Sequence, residues 1–227
     1  MRLGCDIGGT FTDFVLLDDT TGEIHVYKCL TTPGDPSDAV EEGVRALMER
    51  IPGLARKLEE VIHGTTLVIN AIIERKGAQT GLLTTAGFRD VLELGREIRY
   101  APYDVFAEFP RPLVPRHLRL EVNERVRADG SVLTPLDQDH ARAVVRALSG
   151  LGVESVAVCL LNSFENPAHE LALQQIIQEE MPSVSVSISY EVLPQIREYE
   201  RTSTTVTNAY VKPLVQKYLH GLSNRLA

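Results

Sequence analysis

Cysteine is scarce in this chain of 227 residues: Cys5, Cys29 and Cys159 are widely spaced, odd in number and set in apolar segments. No CxxC pair or Cys/His cluster occurs, which argues against a disulfide framework, a zinc site or thiol redox chemistry. Such thiols read as small core residues of a reduced, cytoplasmic protein. Basic charge is also short, with 23 Lys and Arg against 31 Asp and Glu and a net charge of −8. Without a basic run there is nothing to displace counterions from a phosphate backbone, so no nucleic-acid partner is expected. No apolar stretch is long enough to span a membrane, and the start of the chain has Arg2 but no apolar leader segment, so neither a membrane anchor nor a signal peptide is expected. Internal repeats and low-complexity segments are missing, and Ser and His fall in no nucleophile elbow. What remains is an ordinary globular composition, 44% hydrophobic and 24% charged, long enough for one large domain or two small ones.

The richest segment is the start. An apolar run enters Asp6-Ile7-Gly8-Gly9-Thr10, passes Phe11-Thr12-Asp13 and continues as Phe14-Val15-Leu16-Leu17. Paired glycines allow a tight turn whose N–H groups face an anion. The Thr10 and Thr12 hydroxyls add donors, and the Asp6 and Asp13 carboxylates flank the turn where a hydrated cation could sit. Dinucleotide folds and Walker loops place a helix directly after the glycines. Here a strand follows, which leaves either a phosphate-gripping hairpin or a plain hairpin turn.

Residues 2–8, 12–18 and 23–30 read as a three-stranded meander. Ser37 or Asp38 can cap a helix carrying Val40, Val44, Leu47 and Met48, stopped near Pro52-Gly53. A short strand, 61–63, runs into Gly64-Thr65-Thr66 and a helix over 67–76, then a strand over 80–84 and a short helix around Leu92. This alternation predicts a largely parallel sheet behind the hairpin. Residues 95–115 lack a period and read as an irregular excursion. Residues 118–122 and 124–127 then alternate like an antiparallel ribbon closed by Asp129-Gly130. A second α/β passage has helices at 137–149 and 167–180 and strands at 156–161 and 184–189. A long helix after Pro194 is expected to kink or break at Pro213. The expected organisation is therefore a first lobe over 1–94, excursion and ribbon over 95–136, a second α/β segment over 137–192, and a helical segment over 193–227 that starts a following domain.

Three further groups carry chemistry. At 63–66, His-Gly-Thr-Thr hands a strand over to a helix, either as a plain N-cap or as an anion site built on Thr65 and Thr66. Residues 197–205 place Arg197, Glu198 and Arg201 at helical spacings before four consecutive hydroxyl residues, which suits a solvated ion-paired face or, given their poor helix propensity, close packing or a polar cleft. In the excursion, Arg96, Arg99, Tyr100 and Tyr103 could hold a carboxylate or carbonyl ligand, or simply pin the loop.

Taken in order, DIGGTFTD at 6–13, HGTT at 63–66, GFRDVLELGR at 87–96 and LPQIREYERTSTTVTNAY at 193–210 resemble the hydantoinase A / 5-oxoprolinase family, as does PLVPRHLRLEVNERV at 112–126. The resemblance implies an actin-like (ribonuclease H-like) ATPase lobe of α/β class, with ATP and Mg²⁺ as cofactors. It further implies ATP-dependent opening of a cyclic amide such as a hydantoin or 5-oxoproline. Some relatives instead serve as subunits of ATP-dependent ketone carboxylases, and sugar or acyl kinases and a non-catalytic scaffold are the remaining alternatives. By the same resemblance Gly8, Gly9, Thr10 and Thr12 bind the cofactor and Asp6 and Asp13 are catalytic with Asp6 holding the metal, while Thr65 and Thr66 stand beside them as cofactor-binding candidates and Arg96 and Arg99 as substrate-binding candidates on their own chemistry. Family members are longer and clamp ATP between two phosphate loops, whereas no second Gly-Gly pair occurs here. The resemblance therefore implies an N-terminal portion of a longer protein, completed by a further lobe or a second, B-type subunit, in an oligomer.

Overall fold

The computed structural model describes all residues except Pro33, residues 97–100, Pro102 and Ala227. Contacts divide the chain into two units, one formed by Met1–Lys76 with Leu214–Ala227 and the other by Gly77–Pro213.

The first unit is built on a meander, β1 (Arg2–Ile7), β2 (Phe11–Leu17) and β3 (Ile24–Leu30), followed by α1 (Pro36–Arg50), the short α2 (Leu54–Lys57), β4 (Glu60–Thr65) and α3 (Leu67–Ile73). Its sheet has the order β3-β2-β1-β4, with β4 parallel to β1 and the other pairs antiparallel. Period-two alternation turns Leu3, Cys5, Ile7, Phe14 and Leu16 inward. The helix α1 covers them with Ala39, Val40, Val44 and Leu47. Asp35 starts that helix by accepting from Ser37 N at 3.0 Å, with Pro36 preset for the first turn. Gly43 seats the Phe14 ring, for a Cβ there would lie 2.1 Å from Phe14 Cζ. That contact offsets the ~1 kcal/mol a helical glycine costs against alanine. The opposite sheet face is open and mixed, with Val26 66% and Leu30 67% exposed on the same face as Asp13 and Lys28.

The second unit contains β5 (Thr80–Thr85), α4 (Val91–Leu94), β6 (Arg119–Val122), β7 (Arg125–Val126), β8 (Val132–Thr134), α5 (Gln138–Ser149), β9 (Ser155–Cys159), α6 (Ala168–Glu180), β10 (Ser185–Ile188) and α7 (Ser189–Val192). The first part of α8 (Glu198–Leu226) also belongs to it. Its four-stranded sheet, β10-β9-β5-β6, is parallel throughout, and β5 and β9 are buried at every residue, as strands covered on both faces must be.

Several expectations change. The parallel sheet lies in the second unit, because β5 pairs with β9 and β6 and not with the strands of the first sheet. The contact boundaries fall after residues 76 and 213. Within the expected ribbon, β6 joins the parallel sheet and only β7 pairs with β8 about the Asp129-Gly130 turn. The long helix runs through Pro213 unbroken, with residues up to 213 in one unit and from 214 in the other. Among the described residues no helix is long and apolar enough to cross a membrane.

Candidate functional site

The turn between β1 and β2 is pinned from below. Gly8 N donates to Phe11 O at 2.9 Å, and a Cβ on Gly8 would come within 3.0 Å of that same carbonyl, so the tight approach needs glycine. Thr31 gives its hydroxyl proton to Gly8 O at 2.9 Å, which makes Thr12 the donor in the 3.0 Å Thr12–Thr31 pair. Thr12 is fully buried beside Phe14 and Leu16. Alternation along β2 turns its side chain into the core, where it braces the turn through Thr31. Thr10 remains exposed, its carbonyl accepting from Thr31 N.

The end of β4 meets this turn. Thr66 N reaches Ile7 O at 3.3 Å, and Thr65 Oγ1 accepts from Leu67 N at 3.1 Å as the chain enters α3. Because β4 runs parallel to β1, the two loops emerge at the same sheet end and share one cleft of about 460 Å³. Gly8, Gly9, Thr31, Thr65, Thr66, Asn70, Glu74 and Lys76 line it, with Ile7, Pro36, Leu67, Ala71 and Leu214 supplying apolar wall. Sequence reasoning named the two loops but missed Asn70, Glu74 and Lys76. With only seven residues, α3 adds little dipole, so the donors that matter are side chains and turn amides.

Asp6 and Asp13 stand directly opposite each other across β1 and β2, on the exposed face. Like charges in that register repel. Asp13 is compensated by Lys28 Nζ at 2.8 Å, and Lys28 lies in turn over the Phe11 ring. Asp6 makes no ion pair or hydrogen bond among the described residues. Gly64 faces it, and a Cβ there would stand 3.2 Å from Asp6 Oδ1. Among the described residues no group of three or more His, Cys, Asp or Glu could enclose a metal ion. A lone carboxylate beside hydroxyl and amide donors suits a cation that keeps most of its water, as Mg²⁺ does when shared with phosphate oxygens.

Deeper in the same unit, His63 Nε2 and the Tyr218 hydroxyl share a 2.8 Å hydrogen bond. Burial depresses the His63 imidazole below its usual range and raises the Tyr218 phenol. Burial also pushes the Cys5 thiol up to about 12, which leaves it inert as a nucleophile.

The other candidates lie in the second unit. Arg96 pairs with Glu200 on α8, and Arg99 and Tyr100 fall outside the described residues. Tyr103 is exposed. The block at 197–205 is split: Arg201, Thr202 and Thr205 are packed, while Arg197 and Thr204 stay exposed. Arg201 is buried and donates to Leu160 O, Thr202 donates to Cys159 Sγ at 3.2 Å, and Thr205 turns back to Arg201 O at 2.7 Å. Leu160 N donates to the buried Glu170 at 2.9 Å, so the end of β9 is held between a carboxylate and a guanidinium. Burial raises the Glu170 carboxyl, opposed by the hydrogen bond from Ser189. Alongside, Thr85 donates to Glu124, whose other oxygen lies 2.7 Å from His169 Nδ1.

Residues 2–181 match the family described as the hydantoinase/oxoprolinase N-terminal region. The chain belongs to this family. It is 39% identical to caprolactamase subunit alpha of Pseudomonas jessenii over 97% of its own length and 32% of that protein. It is 40% identical to the acetophenone carboxylase gamma subunit of Aromatoleum aromaticum over 97% of this chain and 32% of that one. The crystal structure of the ATP-dependent caprolactamase from Pseudomonas jessenii superposes on all of the chain with a TM-score of 0.89 at 36% identity, covering 34% of that chain. The hydantoinase/oxoprolinase chain described above thus spans about a third of the length of these relatives.

Proposed function

We propose that this chain supplies a phosphate-binding lobe of an ATP-dependent enzyme that opens a cyclic amide. The observation that carries the reading is the convergence of the Gly8-Gly9 and Thr65-Thr66 turns on one cleft, with Asp6, unpaired among the described residues, on the strand that leads into the first turn. The name of the caprolactamase relative supports ATP and a lactam as the chemistry. The donor set fits a polyphosphate: turn amides and the exposed Thr10 and Thr65 hydroxyls, with no fixed anion inside the turns. Mg·ATP, when bound, supplies a transferable phosphoryl group for an amide oxygen, which turns a poor electrophile into a reactive one.

In this reading the Gly8-Gly9 turn and Thr10 hold phosphate oxygens, and Thr65 and Thr66 hold them from the facing loop. Asp6 orients the hydrated cation. Asp13 is committed to Lys28 and acts by keeping the turn's charge balanced. Fixed donors of this kind work by positioning and by neutralising charge, which is most of what phosphoryl transfer asks of a protein. Thr12 contributes only through the Thr31–Gly8 brace. The second phosphate loop, a B-type partner subunit and assembly into an oligomer belong to the same proposal, supported by relatives that are themselves named as subunits.

Calorimetric titration of this chain with Mg·ATP tests the site, with Asp6→Ala as control. Saturable binding that weakens in the variant supports it, and absence of binding overturns it for the chain alone. The identity to a carboxylase gamma subunit favours a second reading, ATP-dependent ketone carboxylation. The full-length protein assayed against lactams, hydantoins, 5-oxoproline and ketones separates the two: ring opening supports the first, bicarbonate fixation the second.

A further inference from the structure

The nucleotide reading names two loops but leaves the space between them without a donor of its own. Asn70 occupies that position. It sits on α3 one turn beyond Thr66, and its Nδ2 donates to Thr66 Oγ1 at 3.2 Å. Thr66 is itself tied to the end of β1 through Ile7 O. The same Nδ2 lies 3.7 Å from where a Cβ on Gly9 would stand, so the amide hangs over the bare backbone of the turn. One contact uses one of the two amide protons; the second proton and Oδ1 are uncommitted among the described residues. The charged residues of the cleft, Glu74 and Lys76, pair with each other at 2.6 Å at its rim.

We propose that Asn70 completes the phosphate cradle, donating its free amide N–H to a terminal phosphate oxygen held against Gly9. The proposal rests on the cleft taking a nucleotide. It makes Asn70 a binding residue that discriminates by phosphate, since the amide faces the Gly-Gly turn and not the apolar wall of Leu67 and Leu214.

The test is calorimetry on this chain with Mg·ATP and with Mg·tripolyphosphate, comparing wild type, Asn70→Ala and Asn70→Asp. A hydrogen bond to a charged group is worth about tenfold or more in affinity. Asn70→Ala is expected to weaken both ligands by about that factor, and Asn70→Asp by more, because an anionic oxygen replaces the donor. Thermal unfolding is expected to stay unchanged, as the side chain is half-exposed and outside the core. A Thr66→Val background separates direct from indirect action: the Asn70→Ala loss persists if the amide touches phosphate and vanishes if it only steadies Thr66. Wild-type binding with no loss in either variant, or a loss that disappears in Thr66→Val, overturns this inference and leaves the cleft reading intact. No wild-type binding of either ligand overturns both.

Discussion

In the first unit the loops after β1 and β4 leave Thr10 and Thr65 exposed, Asp6 without a partner among the described residues, and a cleft of about 460 Å³. In the second, the ends of β5 and β9 are closed by their own side chains. Thr85, Glu124 and His169 bond one another, Glu170 and Arg201 grip Leu160, and the space left beside Arg201 is about 10 Å³, room for a single water. Both are the ends of sheets in an α/β chain, and both collect hydroxyls and carboxylates. The difference lies in what satisfies the polar groups. Where the protein answers them, the end is structural; where glycine and exposed threonine leave them open, water or a ligand can.

The largest effect expected from this contrast is in the closed end. Glu170→Ala removes the acceptor for Leu160 N, Tyr190 N and the Ser189 hydroxyl. Stripping those buried donors is expected to cost about 3–5 kcal/mol. Urea unfolding measures it; a loss under 1 kcal/mol would mean that water enters and the end is not closed. In the open end, Asp6→Ala is expected to weaken Mg·ATP about tenfold, ~1.4 kcal/mol, and Asp13→Ala by less, since Asp13 already faces Lys28. Equal losses would show that the salt bridge opens on binding.

How much of this contrast can be read from residues alone depends on the range of the interaction. The meander, α1, α5 and α6 are legible because their periods are local. The pairing of β5 with β9 is not, for Leu83 meets Val158 across 75 positions and an all-apolar strand fits either sheet. In the open end, the two turns are legible as Gly-Gly and Thr-Thr, but Asn70 looks like any polar residue on a helix until the fold lays it over Gly9. Thr12 is the opposite case. Its spacing from Phe14 and Leu16 already turns it inward, and reading DIGGTFTD as a set of hydroxyls hides that alternation.

A finer test uses Gly9→Ala. Its Cβ would find 3.7 Å to Asn70, so stability is expected to hold within about 0.5 kcal/mol. Mg·ATP affinity should fall several-fold because the methyl fills ligand space. Unchanged affinity would move the ligand off the turn. The smallest effect is the pH response, which should differ in sign between the units. His63 is depressed in the fold, so the unfolded chain takes up the proton first, and that stability is lost as pH falls below the ordinary imidazole range. Glu170 is raised, so its contribution is present at low pH and lost as pH rises above the ordinary carboxylate range. Unfolding followed from pH 5 to 8 should show Glu170→Gln gaining on wild type toward pH 8, and His63→Asn gaining toward pH 5. Parallel curves would remove the distinction.

Gly64 has a consequence beyond packing. Its missing Cβ is what lets the Asp6 carboxylate rest where it does, on a strand 58 positions earlier in the chain. A single methyl at 64 would rotate that carboxylate while changing no charge, no hydrogen-bonding group and no residue of either turn. The aim of this carboxylate is thus set by a residue outside both turns, and Gly64→Ala offers a way to test the proposed cation role of Asp6 while every donor in the cleft stays in place.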